Sequence, residues 1–400
     1  MIFVPHRNKR ERIANNPPQY SGRENTELES AVDRNVKAFI DLLRSKYLST
    51  EEHVIPMDLS AKAQYLTLDV ISTIGLGRPF GMLQADTDVD GIIHSSEDGL
   101  VLGNFFMALG IGGLRQVPVI GPLLHANPHD ASGFGRMLGL CYSWADARWA
   151  QRASDKRQDM LASFMRHGLT KDELKTEAIQ QIIAGSDTTA GALRGLFLYI
   201  MTNHRVYAKL QREIDDAVAQ GRAAAAPGSS EGIASYAAVK QLPYLQAVIR
   251  EGMRVWPPVV NLFPHDVPAG GDTVVVGGKP YFLPGGAEIG HSVRSMQHNK
   301  AIFGDDADVF RPERWLPVGE ADDAEKERLA RMARTNDLIF SYGRWQCLGK
   351  GVAQMELSKT LFEAFRNFDL APLNPPSPWK TQSPLGLFVI SDMWVQVTAR

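Results

Sequence analysis

FSYGRWQCLGK, residues 340–350, holds one of only two cysteines in a chain of 400 residues. It follows an apolar stretch and precedes Leu348, Val352, Met355, Phe362 and Phe365, whose spacing predicts the buried side of a helix starting near Cys347. Gly343 and Gly349 flank the cysteine and let the backbone approach a bulky partner, because neither carries a Cβ. A sulfur at a helix N-terminus meets unpaired N–H groups and the positive end of the dipole, which favour the thiolate, the form that binds metal. No second cysteine lies nearby to build a tetrahedral zinc site, whereas a single axial thiolate on haem iron needs only one. A buried cysteine serving as a small hydrophobe is the alternative this loop alone leaves open.

The rest of the composition bounds the answer. With 44% hydrophobic residues, 22% charged residues and a formal net charge of -2, the chain has the balance of a folded protein with a large core. No long charged or Pro/Ser-rich linker divides it, which predicts one domain over residues 1–400. Cys141 and Cys347 make no disulfide framework, and such sparse usage suits a reducing compartment. The near-neutral balance gives no broad field for nucleic acid, and the basic run HRNKRER at 6–12 reads as a solvated surface patch. No apolar run reaches the roughly 18 residues of a membrane-spanning helix. The closest, LVLGNFFMALGIGGL at 100–114, is expected to lie in the core or to line a pocket, a shallow membrane-dipping segment being the alternative.

Helical periodicity dominates. Leu28, Val32, Val36, Phe39 and Leu43 line one helix face. Thr170 and Glu173 form a capping box that opens a pattern running to about Met201, a helix about 45 Å long and central to the fold. Residues 221–235 read as a low-complexity loop. Strand signals cluster late, in TVVV at 273–276 and YFL after the Gly277-Gly278 turn. The predicted fold class is mainly α with a small β subdomain.

HExxH, GxSxG, GxxxxGK[ST] and a complete GxGxxG are all absent, and Pro128 between His125 and His129 argues against a helical metal pair. Four segments then act together. Phe340-x-x-Gly343-x-x-x-Cys347-x-Gly349 resembles the cysteine-ligand loop of the cytochrome P-450 family of haem-thiolate monooxygenases. Glu251-Gly252-Met253-Arg254 is similar to its ExxR helix, Phe310-Arg311-Pro312-Glu313-Arg314-Trp315 to its PERW segment, and Ala184-Gly185-Ser186-Asp187-Thr188-Thr189 to its oxygen-activation motif. They occur in the family's order and rough spacing. QYSGREN and QCLGK resemble the fungal microsomal branch, including its pisatin-demethylase-like group.

The residues also speak for themselves. Glu251 and Arg254 share a helix face, and flanking Leu245, Val248, Ile249, Val255 and Trp256 suggest that the pair is buried. Gly185 and the Thr188-Thr189 pair are poor helix formers; a missing side chain would open a groove, and a threonine hydroxyl can place a bound oxygen or water and pass protons to it.

The resemblance implies a P-450 fold lacking the family's N-terminal anchor and early helices, with Cys347 as axial ligand of haem iron and Asp187 and Thr188 organising proton delivery. It adds Arg314 to the Glu251–Arg254 pair. The family's WxxxR segment, which helps to bind a haem propionate, is absent, the first tryptophan being Trp144. Trp345 stands where the family often has Arg or His, and His265 and Trp345 are the expected propionate contacts, with Phe340, Gly343 and Gly349 shaping the loop. Apolar Ile183, Ala184, Val259, Val260, Leu262 and Leu387 are expected to line a pocket for a lipophilic small molecule. Also implied are electrons from NADPH through a separate reductase, the cytosolic face of the endoplasmic reticulum, a membrane surface for the full-length form, and a place in secondary metabolism. A truncated, inactive haem-binding relative and a haem-thiolate isomerase or dehydratase remain open at this level.

Overall fold

Thr170 opens the longest helix as its sequence predicts. The side chain accepts from the Glu173 N–H, the Glu173 carboxylate accepts from the Thr170 N–H at 2.7 Å, and the helix then runs over Lys171–Met201. The computed structural model describes residues 25–111, 126–131, 133–225, 232–260, 264–317, 319–320 and 322–400. His125, Leu262 and the basic run at 6–12 lie outside them.

The longer helices are α1 (Leu28–Lys46), α2 (Leu59–Leu76), α3 (Ile92–Ala108), α4 (Gly133–Ala150), α5 (Lys171–Met201), α6 (His204–Ala219), α7 (Pro243–Val255), α8 (Asp323–Asp337) and α9 (Lys350–Asn367). The α1 face foreseen from its spacing, Leu28 through Leu43, is buried. Helix α5 packs along α2 and also meets α4, α7 and α9, so a continuous core collects around Ile182, Leu193, Leu196 and Phe197. Its central place follows from length: about 31 residues at about 1.5 Å each give every layer a surface to pack on.

The β structure is dispersed. Strands β1 (Met57–Asp58), β9 (Trp394–Ala399) and β6 (Phe368–Pro372) form one antiparallel sheet in the order β1-β9-β6. The remaining strands pair in twos: β2 (His265–Asp266) with β5 (Glu288–Ile289), β3 (Asp272–Val276) with β4 (Lys279–Leu283), and β7 (Lys380–Gln382) with β8 (Val389–Ser391). The β3–β4 hairpin turns at Gly277-Gly278 as its sequence predicts. The C-terminal strands carry only short alternation, Val395 and Val397 inward on β9, and so give a weak signal.

Among the described residues, no helix is long and apolar enough to cross a membrane. Of the stretch 100–114, residues 112–114 lie outside the described residues, and in the rest Val101, Leu102, Phe105 and Leu109 are exposed, which corrects the expected core placing for these four. Helix α3 meets α4 through its other side, with Gly99 against the Phe134 ring.

Glu356 on α9 is fully enclosed, with Oε1 lacking any hydrogen-bond partner, and burial holds its carboxyl well above the ordinary range. A carboxyl raised in the folded state binds more protons there than in the unfolded chain, so it lowers stability as pH rises above the unfolded value. Glu356→Gln is expected to stabilise the protein at pH 7 and to remove a fall that approaches about 1.4 kcal/mol per pH unit. Urea unfolding at several pH values checks this, and parallel slopes for the two proteins would count against it.

Candidate functional site

The Glu251 carboxylate gathers five donors. Oε1 accepts from Arg254 Nη2 at 2.8 Å, Arg314 Nε at 2.8 Å and the Arg311 N–H at 2.9 Å; Oε2 accepts from Arg254 Nε and Trp315 Nε1, both at 2.9 Å. Glu251, Arg254 and Arg314 are all buried. The guanidiniums spend their other N–H groups on backbone: Arg254 Nη1 on the carbonyls of Gln297 and Ala307, Arg314 Nη1 on that of Phe303. Helix spacing brought Arg254 to Glu251, but the Trp315 indole and the ring of carbonyls had no local signal. This network ties α7 to the segment 297–315.

The loop is closed by the Cys347 N–H, which donates to the Phe340 carbonyl at 2.7 Å. Gly343 has φ +63°, a left-handed conformation that an L side chain would strain, so glycine is required there by the backbone itself. Trp345 stacks on His265 of β2, with ring centroids 5.4 Å apart and planes at 27°, which joins the two expected propionate contacts in one place. Lys350 Nζ lies 5.5 Å above the Phe340 ring and 3.0 Å from Asp337. Cys347 is exposed, yet protein is dense on its inner side, and the resulting desolvation raises its thiol pKa. The N–H groups of Gly349 and Lys350 and the Lys350 charge act the other way and are outweighed. The expectation of a favoured thiolate is therefore corrected: the helix N-terminus contributes as foreseen, but burial from the rest of the fold exceeds it.

On α5, Thr188 Oγ1 donates to the Ala184 carbonyl at 2.9 Å. With its proton committed there, the hydroxyl offers only lone pairs outward. Asp187 accepts from Gln64 Nε2 of α2 at 2.5 Å and from Ser96 Oγ of α3 at 3.4 Å. Desolvation pushes the Asp187 carboxyl up, while the charge of Arg194 and these two donors pull it down. Gly185 does not open a groove. A Cβ there would stand 2.6 Å from Ile71 Cγ1, so the missing side chain lets α2 pack closely.

Ala184 is exposed in the middle of an otherwise well-buried helix, and Ile183 is half-buried beside it. Val259 pairs with Leu387 through an antiparallel bridge, and the Val260 N–H donates to the Gly386 carbonyl at 2.7 Å, which brings three expected pocket residues together. All three are half-buried. The donor set fits a thiolate-held haem. At Gly349 the φ is -81° and a Cβ would meet only Cys347 Sγ, at an ordinary 3.8 Å, so the chain by itself leaves space against the sulfur that a side chain would fill. A soft, solvent-facing sulfur with that clearance is what an axial thiolate needs. Among the described residues no cluster of His, Cys, Asp and Glu could hold a free metal ion.

Comparison with known proteins adds independent findings. The family described as Cytochrome P450 matches residues 5–392. The chain is 39% identical over 388 residues to "Cytochrome P450 monooxygenase ABA1" of Pyricularia oryzae, covering 95% of this chain and 72% of that protein. It is 36% identical to "Cytochrome P450 monooxygenase aba1" of Botryotinia fuckeliana, over 98% of this chain and 74% of the relative. "Cytochrome P450 monooxygenase ACRTS1" of Alternaria alternata is 31% identical over 89% of this chain and 90% of its own length.

Proposed function

The chain belongs to the cytochrome P450 family of monooxygenases, and from that premise we propose that it inserts one oxygen atom of dioxygen into a lipophilic small molecule of secondary metabolism. The observation that carries the reading is the solvent-facing Cys347 in a loop whose Gly349 leaves the sulfur clear. Haem is the family's cofactor; bound here, it supplies reductive activation of dioxygen. Cys347 would hold the iron, and the stacked His265 and Trp345 would meet a propionate, with the Trp345 indole N–H as donor. Thr188, its own proton given to Ala184, accepts and places a water or hydroxyl, and Asp187 delivers the proton to it. Ile183, Val259, Val260 and Leu387, with Ala184, form apolar walls that orient a lipophilic substrate and exclude water. Electrons come from NADPH through a separate reductase, at the cytosolic face of the endoplasmic reticulum.

Thr188→Ala is the direct test. The variant should keep its haem spectrum and consume NADPH with reductase, yet divert electrons to hydrogen peroxide, with product per NADPH falling at least ~10-fold, since positioned proton transfer contributes ~10²–10⁴ and depends here on the water Thr188 places. Product per NADPH at the parent value would remove the role assigned to Thr188.

A further inference from the structure

Ser341 stands at the entry to the cysteine loop with φ +59° and ψ -170°. That combination lies in a region open in practice only to glycine, because a Cβ there crowds the adjoining backbone. Four described residues other than glycine have positive φ, and the remaining three are aspartates, Asp86, Asp90 and Asp392. Asp86 at ψ 39° and Asp90 at ψ 14° fall in or beside the left-handed helical region that an aspartate tolerates. Serine at ψ -170° has no such allowance. Strain is therefore concentrated two residues before Gly343, where the same loop uses glycine.

The strain persists because the peptide unit joining Phe340 to Ser341 is held at both ends. Its carbonyl accepts from the Cys347 N–H at 2.7 Å, and its N–H donates to the Leu338 carbonyl at 2.9 Å. The Phe340 ring is held as well, beneath Lys350 Nζ, which is anchored on Asp337. On the far side Tyr342 is extended at φ -142° and ψ 155°, and its carbonyl accepts from the Trp345 N–H at 3.3 Å. Turning the Ser341 φ to an ordinary negative value swings everything after it, Cys347 included, away from this pinned peptide. Relaxation at Ser341 thus costs the bond between Cys347 and Phe340.

We propose that Ser341 is a positioning residue for the thiolate ligand, its strained backbone folding the loop back so that Cys347 gives its N–H to Phe340. The direction of the sulfur is thereby fixed, and that N–H is kept off it. A hydrogen bond from the cysteine's own N–H would draw electron density from the sulfur, so withholding it leaves a stronger donor to iron. This rests on the reading of Cys347 as the axial ligand.

Three substitutions test it in the haem-loaded full chain, read by urea unfolding and by the spectrum of the reduced protein under carbon monoxide. Glycine occupies the Ser341 region freely, so Ser341→Gly should raise the urea midpoint and keep the thiolate-type band; the strain relieved exceeds the extra freedom of the unfolded chain. Ser341→Ala has the same Cβ without the hydroxyl and should match the parent in both. Ser341→Val is branched at Cβ and suits positive φ least. At equal haem content it should lose most of the thiolate-type band to the shorter-wavelength form and unfold at lower urea. Hydrogen exchange of the parent needs no substitution: the Cys347 N–H should exchange slowly although the residue is exposed. An unraised midpoint in Ser341→Gly, a lost band in Ser341→Ala, a parent band in Ser341→Val or fast exchange at Cys347 each overturns the proposal. If Cys347→Ser keeps the thiolate-type band, the ligand reading fails, while the Ser341→Gly midpoint still reports the strain.

Discussion

Cys347→Ser is expected to abolish the red-shifted, thiolate-type Soret band of the reduced protein under carbon monoxide, while Cys141→Ser leaves it unchanged. Serine is nearly isosteric, so folding is not the issue; a hydroxyl is a poor axial donor at neutral pH. The two cysteines differ in every respect that matters to a ligand. Cys347 is exposed, and the Gly349 and Lys350 N–H groups and the Lys350 charge offset part of its desolvation. Cys141 lies on α4 at 0% exposure, and burial alone pushes its thiol up to about 12, which leaves it a small core hydrophobe. The expected effect is the complete loss of one band, and a normal carbonyl spectrum in the Cys347 variant would remove the basis of the haem assignment.

The second large effect is expected for Glu251→Ala. Truncation removes all five acceptor contacts and leaves two guanidiniums in the interior. The consequences for them are unequal, since Arg314 keeps Asp306 Oδ1 at 3.0 Å, whereas Arg254 has Glu251 as its carboxylate partner and otherwise only carbonyls. Breaking a buried pair from one side costs ~3–5 kcal/mol, much of a typical total stability of ~5–15 kcal/mol. The variant should unfold at a markedly lower urea concentration and, with a less stable fold, retain less haem. Arg314→Ala should cost less than Arg254→Ala for the same reason. A loss below ~1 kcal/mol for Glu251→Ala, with parent haem content, would show that the network is not what holds that segment.

Both predictions use motifs visible in the linear chain, but with different degrees of dependence on the fold. Thr170 and Glu173 are within one turn of each other, Gly277-Gly278 form a two-residue turn, and Glu251 and Arg254 share a helix face by spacing. Such features are settled by atoms a few residues apart, so residue order alone carries them. The identity of the cysteine loop and its companions was legible for the same reason: the motif is short, and its glycine at φ +63° is a local backbone requirement.

Other features are the work of distant segments. Gly185 looked like an opening for a ligand and is instead the seat of Ile71, which no spacing within α5 could reveal. The Cys347 thiol is raised rather than lowered, because desolvation by the surrounding fold outweighs the helix end next to it. Residues 100–114 are apolar enough for a core, yet α3 turns Val101, Leu102 and Phe105 to solvent. Gln64 and Ser96 lie far from Asp187 in the chain and hold it through α2 and α3, and Arg194 bears on it by charge rather than contact. Sequence by itself determined the faces of α1 and α9, the Thr170 cap of α5, the hairpin and the turn at Gly343, since those depend on near neighbours. Only the tertiary structure decided burial, protonation and the partners of Asp187, since each is set by which remote side chains displace water around a group.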